Sequence, residues 1–158
     1  MAVKPIPDGY HSVTPYLILN DARAGLEYYK KAFGAHERFK MEGPGGKIMH
    51  AEISIGDSVI MLADEFPEMG ANSPKTMGGT PVSILLYVEN VDQRFKKAVE
   101  EGGKIKRDLQ NQFYGDRSGT LEDPFGHVWT IATHVEDVAP EEMQRRSEAA
   151  MKEHCKQD

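Results

Sequence analysis

The chain is expected to be an α+β protein of two tandem βαβββ modules, and two observations carry that expectation. Residues 115–134, GDRSGTLEDPFGHVWTIATH, divide into an alternating run at 117–122, a turn on Asp123-Pro124-Phe125-Gly126 and an apolar-rich run at 128–133. Together these read as an antiparallel hairpin. The order of elements also repeats: a strand, a helix and three strands occur twice, in register at an offset of 69 positions that sets Thr14 opposite Ser83 and Met61 opposite Thr130. Identity across the offset is low, so order and spacing carry the repeat.

Residues 13–19 are apolar and β-branched with Pro15 among them, which reads as a strand that tolerates an edge. Asp21 is placed to cap a helix whose Leu26, Tyr29 and Phe33 share one side and which Gly34 ends. Short strands follow at 36–41, 48–55 and 58–63, closing a first module over residues 10–64. Residues 65–80 carry Pro, Gly, Asn and Ser and read as a linker. The second module, 81–135, has a strand at 82–88, a helix from Val91 stopped by Gly102-Gly103, and strands near 104–110, 117–122 and 128–133. A helix over 139–155 has Pro140 in its first turn and Glu141 and Glu142 favourable to its dipole.

Composition narrows the function classes. A net charge of −6 with no run of Lys or Arg argues against a nucleic-acid surface. No apolar run approaches the roughly 20 residues a bilayer span needs, and residues 1–12 lack the apolar centre of a signal peptide. The single cysteine, Cys155, permits no internal disulfide and fits a reducing cytoplasm.

The segments TPYLILNDARAGLEYYKKAFGA and YGDRSGTLEDPFGHVWTIATHVEDV resemble the glyoxalase/bleomycin-resistance/dioxygenase family of the vicinal oxygen chelate superfamily, and are most similar to its PhnB-like branch. The resemblance implies sheets bent into half-barrels around a shared cavity, often in a homodimer whose modules pair across chains. It also implies one metal ligand, His or Glu, on the first and last strand of each module. In this chain those positions hold Thr14, Met61, Ser83 and Thr130. Three hydroxyls and a thioether hold a divalent ion poorly, so no metal or other cofactor is expected at this site.

Alternation then assigns the rest of the cavity. If Thr14 points inward, so do Tyr16 and Ile18; Ser83 brings Leu85 and Tyr87 with it. Tyr16 and Tyr87, read as matching strand positions, are candidates to sandwich a flat ligand. On the strand at 48–55 the apolar alternation leaves His50, Glu52 and Ser54 to line the cavity. The 69-residue offset turns Arg117, Gly119 and Leu121 inward on the corresponding strand. A structural ion pair between Glu52 and Arg117 is the competing reading of that pair. Asp123 and His127 are assigned to the turn, and His134 to a local pairing at the strand end.

Two functions follow. One is a metal-free binding protein, similar to the bleomycin-resistance members, holding a small, partly aromatic ligand through Tyr16, Tyr87, His50, Glu52 and Arg117 beside Thr14, Met61, Ser83 and Thr130. The other is a lyase, isomerase or dioxygenase-like enzyme with His50 as base and Glu52 as its orienter, or with both as ligands of a displaced divalent metal.

Overall fold

The computed structural model describes residues 3–154. The first module runs Tyr16–Leu19 (β1), Ala22–Phe33 (α1), His36–Glu42 (β2), Ile48–Ile55 (β3) and Ser58–Asp64 (β4). After a 3-10 turn at Pro67–Met69 and the one-turn helix Pro74–Met77 (α2), the second runs Ser83–Tyr87 (β5), Val91–Glu100 (α3), Lys104–Asn111 (β6), Asp116–Glu122 (β7) and Val128–His134 (β8). Pro140–His154 (α4) follows. Cys155 lies outside the described residues.

The cap expected at Asp21 is present, and Asn90 makes the same cap on α3. Asp21 accepts a hydrogen bond from Ala24 N at 2.9 Å and Asn90 from Gln93 N at 3.0 Å, each satisfying one of the unpaired amides of a helix start. Gly34 ends α1 in the left-handed region, where a Cβ would be strained. β1 begins at Tyr16 rather than at residue 13. Pro15 has no N–H to give the ladder, though its carbonyl accepts from Met61 N at 2.9 Å.

The two sheets have matching orders, β1-β4-β3-β2 and β5-β8-β7-β6, with the first and last strand of each module parallel and the other pairs antiparallel. These are paired βαβββ modules, and neither sheet closes into a barrel. α1 packs on α3, and each sheet lays one side on these helices. That side holds Leu17, Leu19, Ile53 and Leu62 in the first sheet and Leu121, Trp129 and Ile131 in the second, all buried in one core. Aromatic rings join the halves: Trp129 of β8 meets Phe33 and Tyr29 of α1 at centroid separations of 4.5 and 5.5 Å. Each such pair contributes about 0.5–1.5 kcal/mol beyond area burial.

The segment read as a linker is ordered. Glu65 accepts from Ser73 N at 3.0 Å and Thr76 Oγ1 at 2.7 Å, while Ser73 caps α2. At its far end α4 is held by Arg146, which bridges Glu136 and Glu142 at 2.8 Å each.

Candidate functional site

Because one side of each sheet is committed to the helices, period-two alternation leaves the other side open. On the first sheet this open side carries Tyr16 and Ile18 from β1, Phe39 and Met41 from β2, His50, Glu52 and Ser54 from β3, and Met61 from β4. Tyr16, Phe39 and Met41 are 48%, 51% and 49% exposed, unusual for large apolar groups on a sheet face.

The polar groups of this face form one row. Tyr16 Oη lies 2.8 Å from His50 Nδ1, and His50 Nε2 lies 3.2 Å from Glu52 Oε1. The Tyr10 hydroxyl donates to Glu52 Oε2. Strand spacing makes the row: positions 50 and 52 project on the same side of β3, and Tyr16 pairs with Met61, which pairs with Glu52. The Tyr10 hydrogen bond, with help from His50, holds the Glu52 carboxyl below its usual range despite burial. Burial raises Tyr16, so its hydroxyl keeps its proton.

Tyr10 belongs to a segment outside any strand. It crosses the open face and encloses, with Pro5, Ile6, Thr14 and Met61, a cavity of about 380 Å³ at Glu52. A larger cavity, about 950 Å³, lies at the seam between the β3–β4 turn and the start of α3, and Tyr87 and His134 reach it. The smaller one is the better site, since it alone of the two contains part of the hydrogen-bonded row. Thr14 and Met61 line it together; Ser83 and Thr130 belong to the other sheet.

On the second sheet the expected face of β7 is reversed. Arg117, Gly119 and Leu121 point to the helices, not to the open side: Arg117 pairs with Asp92 of α3 at 2.7 and 2.9 Å, a Cβ on Gly119 would meet Phe95 at 2.7 Å, and Leu121 is fully buried. The cause is the hairpin. Between the paired residues Ser54 and Val59 lie four residues, but between Glu122 and Val128 lie five. The offset of 69 therefore holds for β5 and β8 and becomes 68 for β7, and a slip of one residue inverts the faces. Glu52 corresponds to Thr120 and His50 to Ser118. Neither a pocket role nor a Glu52 ion pair is open to Arg117.

The open side of the second sheet carries its own polar row instead. Tyr87 Oη donates to Asp116 Oδ2 at 2.8 Å, His134 Nδ1 lies 2.8 Å from Asp116 Oδ1, and His134 Nε2 lies 2.9 Å from Asp137. Thr120 and Thr130 share a hydrogen bond of 2.9 Å. Asp116 raises the Tyr87 hydroxyl, and Asp116 and then Asp137 raise His134. Tyr16 and Tyr87 are not equivalent: Tyr16 corresponds to Leu85 and Tyr87 to Ile18, and each tyrosine sits in its own sheet with its own partner. Within one chain they do not sandwich a ligand.

The turn assignments hold. Asp123 accepts from Phe125 N, His127 N, Tyr29 Oη and Trp129 Nε1, while His127 Nε2 reaches Ile18 O at 2.9 Å. Both residues join the modules.

The family's metal positions offer hydroxyls and a thioether, a donor set that does not fit a divalent first-row ion. His50 and Glu52 bond each other, and among the described residues no cluster of three or more His, Cys, Asp or Glu is arranged to hold a metal.

Tyr10, Asp116, Ser118 and Thr120 were not legible as site residues. Tyr10 lies in no periodic element, and the other three depend on the length of the hairpin turn.

Comparison with known proteins agrees with this architecture. The chain is 40% identical over 136 residues to an uncharacterized protein of Mycobacterium bovis, covering 84% of this chain and 90% of that one. Among solved structures, a Pseudomonas aeruginosa protein superposes with a TM-score of 0.65 at 24% identity, over 80% of this chain and 99% of that one. TioX from Micromonospora gives 0.62 at 22%, over 79% and 99%. The fosfomycin resistance protein FosX from Listeria monocytogenes gives 0.60 at 15%, over 84% and 97%. These likenesses are of fold. The model of the Glyoxalase/Bleomycin resistance protein/Dioxygenase superfamily matches residues 10–131, and the chain, with its paired βαβββ modules, belongs to that superfamily.

Proposed function

We propose that the protein binds a small, partly aromatic molecule on the open face of its first sheet, without a metal at the family's usual positions. The observation that carries this is the pairing of half-exposed Tyr16, Phe39 and Met41 with the hydrogen-bonded row from Tyr16 to Glu52. An apolar surface with a few convergent polar groups is the chemistry of a ligand pocket. A homodimer completes it, the second sheet of one copy covering the first sheet of the other; the unpaired edges of β1 and β5 and the open faces support that assembly. Within the superfamily we place the chain near the PhnB-like branch, on the strength of its closing hairpin sequence and a fold likeness to a Bacillus cereus protein described as PhnB, with a TM-score of 0.60 at 17% identity over 78% of this chain and 99% of that one. A cytoplasmic location is proposed from the single cysteine.

Titration calorimetry with bleomycin, 2-naphthylmethylamine and 2-naphthoate tests the binding reading. Saturable binding of at least one, weakened tenfold or more by Tyr16→Ala or Phe39→Ala, is the expected result. Binding that neither substitution alters would refute it.

A second reading is favoured by the same row. Tyr16, His50 and Glu52 are linked in the order hydroxyl, imidazole, carboxylate, the arrangement in which a carboxylate orients an imidazole that takes a proton. As an enzyme the protein would be an acid–base lyase or isomerase. Multiple turnover lost in His50→Gln with retained ligand affinity would favour it over binding alone.

A further inference from the structure

We propose that Tyr10 is a positioning residue: through Glu52 it fixes His50 as the Nε2–H tautomer, so that the half-exposed Tyr16 presents its oxygen on the open face of the sheet as an acceptor for a ligand N–H or O–H group. The inference rests on the reading of the first sheet's open face as a ligand site, and it names the class of ligand that site takes.

Four groups are linked in sequence: Tyr10, Glu52, His50 and Tyr16. An ionised carboxylate only accepts hydrogen bonds. Glu52 is a carboxylate at neutral pH, and the Tyr10 hydroxyl that donates to its Oε2 orients the group so that Oε1 faces His50. Glu52 Oε1 therefore requires a proton on His50 Nε2. In the neutral ring Nδ1 is then bare, and it accepts from the Tyr16 hydroxyl 2.8 Å away. With that proton committed, the polar capacity Tyr16 has left is its oxygen lone pairs.

The arm itself is held in place. Arg38 stacks over the Tyr10 ring at 4.9 Å, and Tyr10 N donates to Pro7 O at 3.2 Å. The walls beside Glu52 are apolar, from Pro5, Ile6 and Met61. An apolar body bearing an amine, amide N–H or hydroxyl matches that lining, whereas a carboxylate or phosphate meets Glu52 with like charge.

The test uses the full chain labelled with 15N-histidine, at a pH where the imidazole signals no longer change. Long-range proton–nitrogen correlation spectra separate the two tautomers, and His50→Gln assigns the signal. His50 is expected as Nε2–H in the parent. Tyr16→Phe retains that pattern, since Glu52 still holds Nε2. Tyr10→Phe, which removes one hydroxyl and leaves the ring under Arg38, frees the Glu52 carboxylate to turn away from Nε2 and moves His50 to a tautomer average while the other histidines stay put. An Nδ1–H parent, or an unchanged His50 in Tyr10→Phe, overturns the proposal whatever ligands bind. In a second arm, 2-naphthylmethylamine is expected to bind about tenfold or more tightly than 2-naphthoate, with the preference narrowed in Tyr16→Phe, where the repulsion of the carboxylate by Glu52 remains. Equal or reversed affinities overturn the donor assignment and leave the binding reading standing; failure of both compounds to bind saturably overturns the ligand class along with that reading.

Discussion

Tyr29 Oη donates to Asp123 Oδ2 at 2.7 Å, tying the helix of the first module to the last hairpin turn of the second. The Asp123 carboxylate is 1% exposed and accepts from three further donors, two of them backbone amides of its own turn. Its charge raises the Tyr29 hydroxyl, which burial already lifts well above its usual value. Removing the carboxylate strands four donors. We expect Asp123→Ala to cost roughly 3 kcal/mol or more in urea unfolding, and Asp123→Asn somewhat less, because an amide retains one acceptor oxygen. A cost below about 1 kcal/mol for the alanine variant would show that water replaces the network.

Gly119 is the point of closest approach between β7 and α3. A methyl there would overlap the Phe95 ring, which is itself buried. Gly119→Ala should destabilise by about 1–3 kcal/mol through overpacking. Combining it with Phe95→Leu should recover part of the loss, a non-additivity readable in a double-mutant cycle; strict additivity would contradict the assigned contact.

His134 supplies a pH dependence. Its raised folded-state pKa comes from Asp116 first and Asp137 second. For a histidine raised on folding, the ion pairs stabilise fully below the unfolded value near 6.5 and are lost as pH rises through the folded value. The segment leading to α4 should therefore loosen as pH climbs from about 6.5. Glu142 acts in the other direction: Arg145 and Arg146 hold it down to about 2, so its contribution is present at neutral pH and fades only in acid. Amide exchange of residues 135–139 measured across pH checks this. A His134→Gln variant should abolish the part of that rise near neutrality that exceeds the intrinsic base-catalysed increase in exchange.

A homodimer is expected in solution. The open faces leave Leu85 and Tyr87 exposed as well as the first sheet's Tyr16, Phe39 and Met41. Sedimentation at micromolar concentration should give twice the 17.6 kDa chain mass. A charge placed on the open face, Leu85→Glu, should shift it to monomer. A parent that sediments as one chain at every concentration would rule the assembly out.

Much of this architecture is legible in the sequence, because its signals are local. Alternation gives β3 at Ile48–Ile55, the cap Asp21 starts the first helix, and Gly34 ends it. His50 and Glu52 were legible as neighbours on one face, since two positions on one strand share a side whatever happens elsewhere. Arg117 was not, because its side depends on counting residues through a turn whose length the repeat does not conserve. Tyr10 was not, because a segment without periodicity gives no direction for its side chain. The supposed match of Tyr16 with Tyr87 failed for a related reason: residue type suggested a pairing that strand register, two positions out, does not support.

The extra residue between Glu122 and Val128 reaches beyond its own turn. It exchanges the addresses of every side chain on β7, sending a cation and a glycine to the helices and placing Asp116, Ser118 and Thr120 on the opposite side of the sheet. Two halves built to one plan thereby order their groups differently: tyrosine, imidazole, carboxylate on the first, and tyrosine, carboxylate, imidazole on the second, with the Thr120–Thr130 hydroxyl pair on the same side. A molecule held between a first sheet and a second sheet would meet unlike walls, and so would have a single preferred orientation. Shortening that turn by one residue would turn Ser118 and Thr120 toward the helices and Leu121 away from them, so the polarity of the open side and the integrity of the core are governed by the same peptide unit.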